Sequence, residues 1–157
     1  MPLQINRLDH SGGAVLREVR IAALRDSPRE FGETLAEALA RSEQGWSDQA
    51  PAAFIAELDG QPVGMAFAFE DGSDPEAARV GGMWVAPSVR RAGIGLALVE
   101  AALSWAKANG KRRIRLWANQ AIPGQDLYRR AGFVPTGAQK PFPGDGSRTL
   151  VEMQLER

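Results

Sequence analysis

Met83-Trp84-Val85-Ala86-Pro87-Ser88-Val89-Arg90-Arg91-Ala92-Gly93-Ile94-Gly95-Leu96-Ala97-Leu98 begins as the apolar end of a strand and breaks at Pro87. Two glycines then open a long amphipathic pattern, so the stretch reads as strand, tight loop and helix start. The first turn of a helix carries unpaired backbone N–H groups and the positive end of the macrodipole. Gly93 and Gly95 have no side chains to hold an anion away from those amides, and Arg90 and Arg91 add positive charge beside them. The ligand group this junction suits is a phosphate or diphosphate.

Spacing separates the phosphate-binding loops that compete for this reading. A P-loop requires Lys-Ser or Lys-Thr after its second glycine, where this chain has Leu96-Ala97. A dinucleotide fingerprint needs a third small residue where Leu98 stands, and an acidic residue about twenty positions on, where the chain is basic around Arg113.

What remains, Arg90-Arg91-Ala92-Gly93-Ile94-Gly95, resembles the (Gln/Arg)-x-x-Gly-x-(Gly/Ala) signature of the GNAT superfamily of N-acetyltransferases. The surroundings strengthen it: Val-x-Pro lies just before, and a helix ending Trp105-Ala106-Lys107-Ala108-Asn109-Gly110 follows. A strand comes next, then Leu127-Tyr128-Arg129-Arg130-Ala131-Gly132-Phe133. The resemblance covers roughly residues 80–135 and extends more loosely over the chain. It implies an α/β fold with a mixed, mostly antiparallel twisted sheet of six to seven strands, a splayed central pair of strands and about four helices.

The same resemblance implies acetyl-CoA as co-substrate and assigns residues to it. Backbone groups from Met83 through Trp84 to Val85 would hold the pantetheine arm. Arg90, Arg91, Ala92, Gly93, Ile94, Gly95 and Leu96 would hold the diphosphate. Tyr128, the chain's only tyrosine, falls where the family places the acid that protonates the departing thiolate; a phenol with an ordinary pKa near 10 is protonated at neutral pH and can donate. The family often reads Asn-x-x-Ala-x-x-Leu-Tyr, whereas here Ala121 and Gly124 stand in the asparagine and alanine positions. Asn119, two positions earlier, is the available substitute, and Arg130 is a further phosphate candidate on the same helix.

Acetyl transfer to an amine also requires a proton acceptor. Glu57, Glu70 and Glu152 lie on or beside predicted strands, and a carboxylate acting through water would serve. Glu70 is preferred because its strand adjoins Met83–Val85.

Composition narrows the alternatives. With 157 residues, 44% of them hydrophobic, the chain suits one globular domain over residues 1–157. Nineteen basic residues balance nineteen acidic ones, which leaves no net field for nucleic acid or an anionic membrane. No apolar run reaches the roughly 18 residues that span a bilayer, and no charged-then-apolar leader pattern opens the chain; a cytoplasmic setting is expected. Without cysteine there is no disulfide, zinc-thiolate site or acyl-cysteine intermediate. A single histidine, His10, argues against Ser-His-Asp catalysis and multi-histidine metal sites, and its polar neighbourhood predicts a surface role.

Along the chain, Leu3 to Arg7 alternates as a short strand. Asp9 or Ser11 can cap a helix with the stripe Val15, Leu16, Val19, Ala22 and Ala23. Asp26-Ser27-Pro28 breaks it, and a second helical pattern runs from Glu33 to about Arg41. The stretch Asp26 to Gly32 is similar to one that borders the acceptor site in some family members. Ala53–Leu58 and Val63–Phe69 flank Asp59-Gly60, a hairpin signal, and Arg79–Val85 makes a third antiparallel strand in which Gly81-Gly82 predicts a bulge. Ile94, Leu98, Ala101, Ala102 and Trp105 form one helical face, and Asn109-Gly110 supplies its stop. Arg113 to Ala118 is a strand parallel to the third; a helix from Gly124 or Gln125 to Ala131, a strand from Phe133, a Gly/Pro-rich loop over Gly137–Ser147 and a last strand over Leu150–Leu155 complete the chain. Trp84 and Trp117 alternate out of phase with Val85 and Leu116 and are candidates for the cleft wall.

The expected activity is direct acetyl transfer to the primary amine of a small molecule in a ternary complex, with no metal. The acceptor's walls should come from Asp26–Gly32, the segment around Trp46 and the Gly137–Ser147 loop. A non-catalytic acyl-CoA sensor, transfer of a longer acyl group, and transfer to a protein or peptide amine stay open, as does a homodimer through an exposed sheet edge.

Overall fold

Alternate residues of the central strands go to two different cores, and this organises the molecule. The computed structural model describes residues 2–120 and 125–156. In chain order the elements are β1 (Leu3–Arg7), α1 (Gly13–Asp26), α2 (Leu35–Ala40), α3 (Glu43–Gln49), β2 (Ala53–Leu58), β3 (Gln61–Glu70), β4 (Ala77–Val85), α4 (Ile94–Ala108), β5 (Arg113–Asn119), α5 (Gln125–Arg130), β6 (Val134–Phe142) and β7 (Asp145–Glu156). On β2 and β3, Phe54, Ala56, Ala66 and Ala68 pack with Leu98, Val99 and Ala102 of α4. Their neighbours Ala53, Ile55, Met65 and Phe67 pack with Leu16 and Leu24 of α1 and Trp46 of α3. Period-two burial on both sides therefore puts α4 under one face of the sheet and α1 to α3 on the other.

The seven strands lie in the order β1-β2-β3-β4-β5-β7-β6. Every neighbouring pair is antiparallel except β4 and β5, which the α4 crossover makes parallel. That parallel ladder is short: Ala77, Ala78 and Arg79 pair with Arg113, Ile114 and Arg115. Beyond Arg79, β4 continues to Val85 against β3 alone, so a wedge opens between β4 and β5.

Gly82 shows how β4 turns away. Its φ of +61° is costly for a residue with a side chain, and a Cβ there would lie 2.5 Å from Phe67 Cδ2. The β3–β4 register slips between Met65 and Phe67, opposite the glycine pair, as the bulge reading expects. The Asp59-Gly60 turn also forms as read, with φ of +51° and +78° at its two residues.

Three expectations change. The second helical pattern is two helices. Thr34 closes a capping box with Glu37, each side chain accepting from the other's backbone N–H at 3.1 Å, so α2 starts at Leu35 rather than Glu33. Ser42 then caps α3 by accepting from Gly45 N–H, and α3 buries Trp46, bringing the α-helices among the described residues to five. On α1, Ala22 faces solvent, while Arg20 and Leu24 share the buried side with Leu16, Val19 and Ala23. The Gly137–Ser147 loop is instead largely strand: β6 and β7 form a long hairpin turning at Pro143-Gly144. β6 is exposed along nearly its whole length, so it has no apolar alternation to read, and an edge strand tolerates Pro135 and Pro141.

Candidate functional site

The wedge between β4 and β5 widens into a cleft of about 680 Å³, within the range of small-ligand sites. Met83, Trp84 and Val85 line one wall; Trp117, Ala118 and Asn119 of β5 line the other. Leu127 and Tyr128 of α5 close it toward α4, and Ser27, Glu30 and Phe31 reach in from the segment after α1. That segment is held in place from the far side: Arg148 donates to the Arg29 carbonyl, and Gly32 lies against Pro143, where a Cβ would come within 3.3 Å.

The loop at the start of α4 is built to leave amides open. Arg91 has a φ of +68° and Gly93, the N-cap residue, a φ of +82°. No side chain caps the helix, and its first recorded amide bond runs from Ala97 to Gly93. Nothing lies within 4 Å of where a Cβ of Gly93 would be, so a group with strong acceptor oxygens has room there. Gly95 serves packing instead: a Cβ would come within 3.2 Å of Leu127 Cδ2, so the missing side chain lets α5 settle on α4. Open amides at the turn and unpaired β4 backbone leading to it suit a diphosphate joined to an extended arm with amide groups, the shape of coenzyme A.

The two arginines are placed differently. Arg90 donates from Nε to the Val85 carbonyl at 3.0 Å and from Nη2 to Asp26 Oδ2 at 2.6 Å. Asp26 also accepts from Trp84 Nε1 at 3.0 Å and from the Ser27 hydroxyl at 2.7 Å. These bonds, the Trp84 indole N–H foremost, hold the Asp26 carboxyl below the ordinary carboxylate range. Arg91 is exposed and carries the loop's outward charge.

Tyr128 lines the cleft with its ring edge-on to Phe133, centroids 6.1 Å apart. Burial pushes its phenol up to about 12, so it is a proton donor across the physiological range and not a base. Asn119 is buried at the end of β5, on the cleft wall, and its carbonyl accepts from Gln125 Nε2 at 3.2 Å. Ala121 and Gly124 lie outside the described residues. Arg130 is exposed at the end of α5 and does not line the cleft.

None of the three glutamates nominated from the strands reaches the cleft. Glu70 pairs with Ala78, at the opposite end of β4 from Val85, because β3 runs antiparallel. It lies roughly 20 Å along the strand from Val85 and forms an ion pair with Lys111 at 3.0 Å. Adjacency of the strands was read correctly, but their ends were not. Glu57 sits opposite Gln4 and Pro62 on β2. Glu152 accepts from Arg79 Nη2 at 2.8 Å and from Thr136 at 3.0 Å, at the foot of the wedge. The carboxylate that does line the cleft is Glu30. Glu30 lies within the Asp26–Gly32 stretch, whose resemblance to an acceptor border is the sequence signal for it.

Comparison with known proteins agrees with this geometry. A family model described as "Acetyltransferase (GNAT) family" matches residues 17–133. The chain belongs to that family. It is 35% identical to a mycothiol acetyltransferase of Geodermatophilus obscurus, over 97% of this chain and 44% of that one. With a mycothiol acetyltransferase of Pseudarthrobacter chlorophenolicus it shares 31% identity over 73% of this chain and 37% of that one. The chain thus spans less than half the length of the curated relatives it matches. Among solved structures, a GNAT acetyltransferase from Streptococcus pneumoniae superposes with a TM-score of 0.80 at 18% identity, over 99% of both chains. The Salmonella typhimurium protein yncA, described with its cofactor acetyl-CoA, superposes with a TM-score of 0.76 at 19% identity, over 99% of this chain and 94% of that one. These structures share the fold: an α/β sheet, mostly antiparallel, with seven strands here. Among the described residues no helix is long and apolar enough to cross a membrane.

Proposed function

We propose that this protein is an N-acetyltransferase that takes the acetyl group of acetyl-CoA and passes it directly to the primary amine of a small molecule held in the same cleft. The observation that carries the reading is the alignment of two features: the open amides at the start of α4 stand at the mouth of the β4–β5 wedge. Acetyl-CoA supplies an activated thioester, and the protein's share is orientation and proton handling.

Backbone amides at the turn and the Arg91 charge hold the diphosphate end. The free edge of β4 from Met83 to Val85 aligns the arm, and an N–H near Val85 donates to the carbonyl oxygen as negative charge develops there. The amine nitrogen forms the new C–N bond as the C–S bond breaks, and the sulfur keeps the bonding electron pair. Tyr128 gives its phenolic proton to that sulfur. Glu30, facing the cleft, takes the proton the amine loses, directly or through water. The pool of mycothiol acetyltransferases among the relatives favours a small acceptor over a protein one.

Calorimetric titration with coenzyme A, followed by thiol release from acetyl-CoA across a panel of primary amines, tests this reading. Binding with turnover on at least one amine is expected. Binding with none would overturn the transferase and leave a sensor.

A further inference from the structure

Behind the acceptor wall of the cleft lies a cation without enough partners. Arg20, on the inner side of α1, has a side chain only 8% exposed. Its Nε and Nη1 have no hydrogen-bond partner among the described residues. Among the described residues the carboxylate paired with it is Glu33, which stands 3.6 Å from Nη2 and binds Arg41 more closely, at 2.8 Å. Arg41 is itself stacked on Trp46, 4.3 Å from the ring centroid, with its own Nη1 unpartnered. Two guanidinium groups therefore share one carboxylate, and the cluster keeps an uncompensated positive charge. Buried donors left unpaired cost stability, so the arrangement persists against its own folding interest.

Position relates this charge to the cleft. The Arg20 guanidinium is covered by the rings of Phe31 and Phe67, 4.7 and 5.6 Å from their centroids. Phe31 is itself a lining residue of the cleft. On the β4 side Gly82, also a lining residue, lies close by: a Cβ there would sit 3.4 Å from Arg20 Nη1. The unpartnered nitrogen thus lies one atom's depth behind the bulge that opens the wedge. Glu30, next in sequence to Phe31, places a carboxylate in the same cleft.

We infer that the acceptor is a primary amine that also carries a carboxylate, with Arg20 as the specificity residue that binds the carboxylate past Gly82 and the Phe31 ring. The inference rests on the transferase reading and narrows its acceptor. A zwitterionic acceptor matches both charges on that wall: its ammonium meets Glu30, and its carboxylate supplies the acceptor oxygens that Nε and Nη1 lack. Reaching Arg20 requires the Phe31 ring to turn aside about its own side-chain bonds, because the backbone on either side is held by Arg148 at Arg29 and by Pro143 at Gly32.

The test uses matched amine pairs, an α-amino acid against its amide and a short ω-amino acid against the corresponding alkylamine. Turnover is read as thiol release, and binding as calorimetry in the presence of coenzyme A. The carboxylate member of a pair is expected to have a kcat/KM about tenfold or more above its neutral partner. Arg20→Met should collapse that ratio toward one through KM, and Arg20→Lys should restore part of it. Glu33→Gln, which removes the competing carboxylate, should raise the ratio; this variant decides the matter if Arg20→Met does not fold by circular dichroism. A wild-type ratio near one, or a ratio that neither Arg20→Met nor Glu33→Gln moves, overturns the inference while leaving transfer to other amines intact. Preferential binding of the carboxylate members without turnover on any amine would keep Arg20 as a carboxylate site but sink the transferase reading, and with it the acceptor role.

Discussion

Arg90 and Asp26, sixty-four positions apart in sequence, meet at 2.6 Å and tie the loop before α4 to the end of α1. Because Arg90 also holds the Val85 carbonyl, one guanidinium fixes the tip of β4 against the segment that carries Ser27, Glu30 and Phe31. The pair is half open to solvent, with side chains 48% and 27% exposed, so its worth to stability is small.

Loss of this tie should appear in kinetics. Arg90→Met is expected to change unfolding free energy by no more than about 1 kcal/mol, while raising KM for both acetyl-CoA and the amine by about three- to tenfold. Denaturant unfolding and initial-rate kinetics measure the two effects. A change confined to acetyl-CoA would mean that Arg90 serves phosphate alone and that Asp26 is incidental.

Arg91 separates charge from backbone strain. With φ at +68° it occupies a region that glycine enters freely. Arg91→Gly should therefore raise stability by up to about 1 kcal/mol and weaken coenzyme A binding by about fivefold or more, with a shallower dependence of affinity on salt. Calorimetry at low and high ionic strength checks it; unchanged affinity would remove Arg91 from the phosphate site.

Tyr128 makes a spectroscopic prediction because no other tyrosine absorbs. Its phenolate band should rise with a midpoint of about 12 in the folded protein, above the ordinary 10.0. A folded pKa above the unfolded one means the native state holds the proton longer, so this contribution to stability is present below pH 10 and fades as pH climbs toward 12. Tyr128→Phe should lower kcat by about a hundredfold with coenzyme A affinity unchanged. A midpoint at the ordinary value would contradict the burial of the phenol, and an unchanged kcat would contradict the role.

Asp71, at the foot of the wedge, governs the acid side. It accepts from the Ser73 backbone N–H at 2.9 Å, the Ser73 hydroxyl at 2.7 Å and Arg79 Nε at 2.9 Å, which together hold its pKa down at about 2. A depressed folded pKa gives stability that is complete above the ordinary 3.8 and lost as pH falls through about 2. The contribution is of the order of 2 kcal/mol. Asp71→Asn should be less stable than the wild type at neutral pH, and the gap should close between pH 4 and 2 in denaturant titrations. A constant gap would assign the loss to packing.

The strand–loop–helix at Met83–Leu98 was legible because several signals agreed: a glycine pair where β4 bulges, an uncapped Gly93, and an apolar stripe on α4 ending at Asn109-Gly110. That Tyr128 lines the cleft was legible through its place in a family pattern. β6 was hidden because an exposed edge strand imposes no alternation, and α3 because Gly45 interrupts it and Trp46 alone carries its burial. Glu70 was misplaced because periodicity says which strands adjoin and not which ends meet. Arg20 went unnoticed since a buried arginine on a helix reads like any surface one until its partners are counted.

The most direct measurement of the central claim is a ¹⁵N–¹H titration of the protein with coenzyme A, following the amides at the start of α4. Saturable shifts concentrated on Ile94, Gly95 and Leu96, together with Met83 to Val85 on β4, are the predicted result. Binding that leaves those amides unmoved while shifting another surface would contradict the account.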